Sequence, residues 1–143
     1  MEKPEKAKGR VLLVDDEPDI VTYLTVLFEE NGFETSAVTD ADEALGAARR
    51  FSPDIIMLDI MMPKKTGISV YMDMKRDPEL KDIPVVLVSA FNRKKDFPVA
   101  DFGETLSRNG VPEPDGYADK PIDRKALIEK TMRILERRAV NLT

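Results

Sequence analysis

One short stretch, residues 53–63, constrains the fold of this chain more than any other. Its apolar run, residues 55–58, has the length of a strand, is preceded by Pro53 and Asp54, and is followed by Asp59. An apolar run without polar alternation is typical of a strand that is buried on both faces, as in a parallel sheet covered by helices. Asp59 then lies where the strand leaves the core, either as a turn former or as the reactive end of a site.

Four other segments have the composition of strands, and they alternate with helical patterns along the chain. The predicted strands comprise residues 10–15, 33–38, 83–89 and 117–119, in addition to the central run. The predicted helices begin at Pro18, at Asp40 with Glu43 in the spacing of a capping box, at Thr66, near Pro98 and at Asp123. The expected helix ends are Asn31 with Gly32, Asp77 with Pro78, and Asn109 with Gly110.

Five alternations of strand and helix predict an α/β fold, with a doubly wound parallel sheet covered by helices on both faces. In such sheets, ligands bind at the carboxyl ends of the strands. Polar or charged residues end the predicted strands: Asp15 and Asp16 the first, Asp59 the third, Ser89 the fourth and Lys120 the fifth. We therefore expect these five side chains to meet on one rim of the sheet.

Composition narrows the chemistry that this rim can perform. The chain has 143 residues with no Cys and no His, which excludes disulfides, thiolate metal sites and a histidine base. A net charge of −5 argues against a nucleic-acid surface. No apolar run has the length of a membrane span, and no signal-peptide pattern opens the chain. We expect a cytoplasmic protein that uses carboxylates, hydroxyls and lysines and makes no direct contact with membranes or nucleic acid.

The rim residues point to phosphate chemistry. Three carboxylates close together repel one another, so positive charge has to compensate them. Lys120 supplies one charge, and a hard divalent cation with oxygen ligands would supply more. Mg²⁺ is the common choice where phosphate is handled. A carboxylate beside such a metal can attack phosphorus and form an aspartyl phosphate, a reaction that needs little beyond positioning and charge neutralisation.

Each rim residue also has an ordinary structural interpretation. Asp15 and Asp16 could cap the first helix, Asp59 and Ser89 could be turn residues, and Lys120 could be a solvated lysine. Their joint placement at strand ends favours a site over these separate explanations.

In this arrangement the chain resembles the receiver domain of two-component response regulators, over residues 10–138. The matching residues are Asp15 and Asp16, Asp59 followed by Met62, Pro63 and Gly67, Ser89 with Ala90, Tyr117, and Lys120 with Pro121. The resemblance implies a flavodoxin-like five-stranded parallel sheet in the order 2-1-3-4-5. It also implies a stand-alone signalling module of a two-component phosphorelay that is switched by phosphorylation, rather than an enzyme acting on other substrates.

The resemblance assigns the acidic residues to phosphorylation and metal binding. Asp59 would accept a phosphoryl group from a histidine kinase or a phosphotransfer protein. Mg²⁺ would be bound by Asp16, by Asp59 and by the backbone carbonyl of Met61, with Asp15 acting through water.

The resemblance also implies how the signal is passed on. Ser89 and Lys120 would contact the phosphoryl oxygens, and Tyr117 would turn inward when Ser89 moves. The peptide bond between Lys120 and Pro121 would be cis. The downstream partner would be a protein that the sequence does not name, and the chain would be a monomer or a weak phosphorylation-dependent dimer.

The expected domain organisation is a flexible tail at residues 1–9, a receiver domain at 10–138 and a C-terminal tail at 139–143. Ser89 and Lys120 are 31 positions apart, which is longer than the resemblance predicts. We therefore expect segment 91–116 to be atypical and mobile. The chain ends soon after the last predicted helix, so we expect it to act through a partner surface and not through an output domain.

Three other functions fit the sequence less well than this one. A receiver-like interaction module that is never phosphorylated would share the fold, but the complete set of rim residues argues against it. A metal-dependent phosphatase with an aspartate nucleophile usually carries a second Asp two positions later, where this chain has Met61. Nucleotide binding is disfavoured because no glycine-rich phosphate loop follows the first strand.

Overall fold

The computed structural model describes residues 8–62, 66–89, 104 and 106–142. Five parallel strands form one sheet in the order β2-β1-β3-β4-β5. The strands are β1 (Arg10–Val14), β2 (Glu34–Val38), β3 (Ile55–Asp59), β4 (Val85–Ser89) and β5 (Gly116–Asp119). The helices are α1 (Pro18–Glu30), α2 (Ala44–Phe51), α3 (Gly67–Arg76) and α4 (Arg124–Leu142), and a short 3₁₀ turn, Ala41–Glu43, precedes α2. The predicted α/β fold and strand order are confirmed.

Alternation of side chains along the strands divides the core into two layers. Ile56 and Leu58 of β3 pack on the side of α2 and α3. Ile55 and Met57 pack on the opposite side, with α1 and α4. All four are at most 1% exposed. Burial of each such side chain stabilises the fold by about 1.5–3 kcal/mol, so β3 anchors both layers and holds the position of Asp59 at its end.

The predicted helix starts at Thr66 and Asp123 are confirmed by their hydrogen bonds. The Thr66 hydroxyl accepts a hydrogen bond from the Ser69 backbone N–H at 3.2 Å. The Asp123 carboxylate accepts one from the Ala126 N–H at 3.0 Å. Both are side-chain caps of the kind that satisfy the free amides of a first helical turn.

The capping box predicted at Asp40 and Glu43 is wrong. The Asp40 carboxylate accepts a hydrogen bond from the Asp42 N–H at 2.9 Å, and the Glu43 N–H donates to the Asp40 backbone carbonyl at 3.1 Å. The chain forms a tight 3₁₀ turn here before α2 begins. In this turn the amide two residues on, and not three, is the one that faces the aspartate side chain.

The end of α1 agrees with the predicted signal, and α4 extends into the predicted C-terminal tail. α1 ends at Glu30, and Gly32 follows with φ of 90°, a left-handed conformation that favours glycine. α4 continues to Leu142, so residues 139–142 are helical beyond the boundary expected at position 138.

The residues just before β5 are anchored to the core. Leu106 is fully buried, Val111 is nearly so, and both join the layer of α2 and α3. A helical turn ends at Gly110, which has φ of 67°, and the Val111 N–H donates to the Leu106 carbonyl at 2.9 Å. The predicted end of a helix at this point is confirmed. Its predicted start near Pro98 lies outside the described residues, as do positions 91–103 and 105 of the segment predicted to be mobile.

Across the described parts of the chain, no helix combines the length and the apolar character that a membrane span requires.

Candidate functional site

Three of the predicted site residues lie at the carboxyl ends of their strands, on one rim of the sheet. Asp15 follows β1, Asp59 is the last residue of β3, and Lys120 follows β5. The Lys120 Nζ lies 3.0 Å from Asp15 Oδ2 and 3.7 Å from Asp59 Oδ1. Asp15 and Asp59 are each 2% exposed, so their charges act in surroundings less polar than water, where attraction and repulsion are both stronger.

Asp16 and Glu17 complete an acidic cluster around the lysine. Asp15, Asp16, Glu17 and Asp59 each offer one carboxylate oxygen, and these four atoms all lie within 4.8 Å of one another. Lys120 Nζ also donates to Glu17 Oε1 at 3.3 Å. Sequence reasoning missed Glu17, although the unbroken acidic run at positions 15–17 was a signal that could have found it.

The backbone of Asp59 and Ile60 lies in close contact with the start of α3. The Gly67 N–H donates to the Ile60 carbonyl at 2.8 Å. A Cβ atom at Gly67 would lie 1.9 Å from the Asp59 backbone oxygen and 2.8 Å from the Ile60 Cα. Only glycine allows the start of α3 to approach β3 this closely, and this approach fixes the backbone that carries Asp59.

The electrostatics of the cluster disfavour the charged form of Asp59. Burial and the neighbouring charge of Asp15 raise the pKa of Asp59 from 3.8 to about 7. The Lys120 charge and the hydrogen bond from the Met61 N–H oppose this rise, and the Asp16 carboxylate adds to it. Without further positive charge the Asp59 carboxyl therefore holds its proton close to neutral pH.

The same cluster favours the charged form of Lys120. Burial alone would lower the pKa of Lys120. The hydrogen bond to Asp15, the charges of Asp59 and Asp15, and the hydrogen bond to Glu17 outweigh burial and raise that pKa. Lys120 therefore stays charged and offsets part of the acidic cluster.

The remaining predicted site residues lie on the strands of the same sheet or directly after them, and their roles stay predictions. The Met61 N–H donates to Asp59 Oδ1 at 3.2 Å, and the Met61 side chain is 55% exposed. Ser89 ends β4 beside Asp119 of β5, and its side chain lies outside the described residues. Tyr117 in β5 is half-buried and packs against the core layer of α2 and α3. The peptide bond between Lys120 and Pro121 is cis, as predicted.

The cluster has the donor set that a hard divalent cation requires. Among the described residues, Asp16 Oδ1 and Asp59 Oδ2 are buried oxygens that lack a hydrogen-bond partner. Leaving buried carboxylate oxygens unpaired is unfavourable, and a bound cation would satisfy both. All of the ligand atoms are oxygens, which suits Mg²⁺. The residues therefore fit a metal site.

Comparison with known proteins gives the family. Residues 11–132 match the family described as the response regulator receiver domain. This chain belongs to that family. The polar-differentiation response regulator DivK of Brucella anthropi is 34% identical to this receiver over 119 residues, which are 83% of this chain and 89% of DivK. The DNA-binding response regulator MtrA of Mycolicibacterium smegmatis is 30% identical over 130 residues, which are 91% of this chain and 52% of MtrA.

The receiver spans about half the length of MtrA and most of the length of DivK. A sensor protein from Polaromonas sp. JS666 matches its fold with a TM-score of 0.78 at 27% identity, covering 92% of this chain and 98% of that one. The resemblance to receiver domains is thus confirmed by sequence and by fold. Relatives in this family are response regulators, signalling proteins that phosphorylation regulates.

Proposed function

We propose that this receiver accepts a phosphoryl group on Asp59 from a histidine kinase or a phosphotransfer protein and passes the signal to a downstream protein. One observation carries the assignment. Asp59 ends the central strand with one carboxylate oxygen near Lys120 and the other buried without a partner. In the transfer, a carboxylate oxygen of Asp59 bonds to phosphorus while the phosphorus–nitrogen bond of the donor phosphohistidine breaks. The bonding electrons of that P–N bond stay on the imidazole.

Mg²⁺ is the proposed cofactor. Asp16 and Asp59 would hold it through the two unpartnered oxygens, with the Met61 carbonyl as a further ligand and Asp15 acting through water. The metal would neutralise the charge that develops on the phosphoryl oxygens. The fit of the donor set supports this assignment.

Residues of the chain would prepare Asp59 for the transfer. Lys120 supplies a fixed positive charge to the carboxylate and then to the phosphoryl oxygens, and the Ser89 hydroxyl would contact the same oxygens. The Met61 N–H donates to Asp59 Oδ1, and Asp59 Oδ2 is the buried oxygen that has no hydrogen-bond partner among the described residues. Tyr117, in β5, would turn inward when Ser89 moves and so transmit the effect of phosphorylation to the surface of the receiver.

The cellular setting belongs to the same proposal. A cytoplasmic location fits a protein that receives phosphate from a kinase, and the partner would bind the receiver as a monomer or as a weak dimer that forms on phosphorylation. In this proposal the receiver has a signalling role and acts on no substrate other than its own aspartyl phosphate. The residue two positions after Asp59 supports this role. Met61 offers no acid or base to a second substrate there.

The test is treatment with acetyl phosphate and Mg²⁺, followed by intact mass measurement. We expect one added phosphoryl group on the wild type, none on Asp59→Asn, and wild-type labelling of Asp54→Asn, an aspartate at the opposite end of β3. Labelling that persists in Asp59→Asn would contradict the assignment. A wild type that binds its partners but takes no phosphoryl group would identify an unphosphorylated interaction module instead.

A further inference from the structure

Lys120 is shared among three carboxylates that differ sharply in exposure. Its Nζ lies 3.0 Å from Asp15, 3.3 Å from Glu17 and 3.7 Å from Asp59. The Asp15 and Asp59 side chains are almost fully buried, whereas the Glu17 side chain is 58% exposed. Glu17 is therefore the partner that Lys120 can exchange at the lowest free-energy cost.

Capping of α1 does not explain the conformation of the Glu17 side chain. Glu17 is the N-cap residue of this helix, where a short polar side chain usually accepts a hydrogen bond from the first turn. The Glu17 side chain makes no such bond. Its backbone N–H donates to Asp15 Oδ1 at 2.9 Å, and its carboxylate extends to Lys120. The side chain thus serves the cluster and not the helix.

We propose that Glu17 is a positioning residue that competes with the phosphoryl group on Asp59 for the Lys120 ammonium. An ammonium has three donors, and the two short contacts to Asp15 and Glu17 use two of them. Additional phosphoryl oxygens at Asp59 would draw Lys120 away from Glu17. The contact between Glu17 and Lys120 therefore lowers the affinity for a phosphoryl group, while the Glu17 charge raises the affinity for a divalent cation. This inference rests on the proposed function of Asp59.

Three variants separate the contact from the charge. Glu17→Asp keeps the charge but shortens the side chain and favours a hydrogen bond to the first turn of α1, which withdraws the carboxylate from Lys120. Glu17→Gln removes the charge. Asp19→Asn is the matched control. It removes a negative charge from an exposed residue in the first turn of α1, two positions after Glu17. No contact between Asp19 and Lys120 is observed among the described residues.

The experiment measures two affinities for each variant. Mg²⁺ alone is titrated by calorimetry, and beryllofluoride, a mimic of the phosphoryl group, is titrated at saturating Mg²⁺ with the Gly67 amide signal and ¹⁹F NMR as reporters. We expect both Glu17 variants to bind beryllofluoride about two- to fivefold more tightly, the range expected for an exposed ion pair. Mg²⁺ should bind a few-fold more weakly to Glu17→Gln and less than about twofold more weakly to Glu17→Asp, which keeps its charge near the cluster. Asp19→Asn should match the wild type in both titrations.

The outcomes distinguish this inference from the function on which it rests. A Glu17→Asp variant that binds beryllofluoride as the wild type does would overturn the competition. If Asp19→Asn also binds beryllofluoride more tightly, to the same extent, the effect comes from net charge alone, and this result too would contradict the proposed competition. A wild type that binds Mg²⁺ but no beryllofluoride would contradict the proposed function itself. Opposite shifts of the two affinities in Glu17→Gln, with a larger shift for beryllofluoride than for Mg²⁺ in Glu17→Asp, would support the inference.

Discussion

In the absence of metal, Asp59→Asn should stabilise this receiver, and the gain should grow with pH. The folded protein raises the pKa of Asp59 from 3.8 to about 7, so the folded state binds a proton more tightly than the unfolded chain does. The stability that this carboxyl contributes is fully present below pH 3.8 and is lost as the pH rises through about 7. Asparagine cannot ionise, so the variant does not lose this stability as the pH rises.

The size of the effect follows from the shift. About three pKa units correspond to about 4 kcal/mol over the full range. The part that develops between pH 5 and pH 8 is about 2–3 kcal/mol. An amide at this position also keeps the acceptor for the Met61 N–H and offers a donor toward the unpartnered Asp16 oxygen. The main loss is the attraction to Lys120, which the rise in pKa shows to be smaller than the cost of burial and repulsion.

The assay is urea unfolding of the wild type and Asp59→Asn in a chelator at pH 5 and pH 8. We expect the stability difference to favour the variant more at pH 8 than at pH 5, by about 2–3 kcal/mol. Asp54→Asn, at the other end of β3, controls for loss of a negative charge far from the cluster. Saturating Mg²⁺ should stabilise the wild type and narrow the gap at pH 8, because a ligand stabilises the state that binds it.

Two results would refute this reasoning. A stability difference that is equal at pH 5 and pH 8 would mean that the protein does not disfavour the Asp59 charge. A variant less stable than the wild type at pH 8 in the chelator would mean that the attraction of Lys120 outweighs burial and repulsion.

The fold and most of the rim were predictable because they depend on short-range patterns and on general topology. The apolar run at residues 55–58 identifies the central strand, and the carboxyl-end rule for parallel sheets brings Asp15, Asp59 and Lys120 to one edge. Neither step requires knowledge of side-chain conformation. The sheet that results places these residues at hydrogen-bonding or ion-pair distances.

Features that depend on exact spacing between elements were beyond sequence reasoning. Glu17 and Lys120 are 103 positions apart, and their contact depends on how far an N-cap side chain extends. Gly67 belongs to a recognisable pattern, but its reason, a distance of 1.9 Å between a would-be Cβ and the Asp59 oxygen, appears only once α3 is packed against β3. The error at Asp40 has the same origin, because a 3₁₀ turn and an α-helical turn share the same capping residues.

Three further predictions test the site. Gly67→Ala should lower the free energy of unfolding in urea by more than about 3 kcal/mol, because the backbone must move, whereas Gly46→Ala in α2, whose near neighbour is the flexible end of Arg50, should raise it by about 0.5–1 kcal/mol. Asp16→Asn should weaken Mg²⁺ binding clearly in calorimetry, and unchanged affinity would place the metal elsewhere. The aspartyl phosphate should be long-lived, because its hydrolysis needs an aligned water and the exposed thioether of Met61 beside Asp59 positions none. Met61→Asn, which supplies a donor and an acceptor, should speed dephosphorylation in Mg²⁺ by about one to two orders of magnitude, since positioning contributes heavily to such reactions. Equal rates in the wild type and Met61→Asn, or a wild-type phosphoryl group lost within seconds, would show that water reaches phosphorus by a route that Met61 does not control.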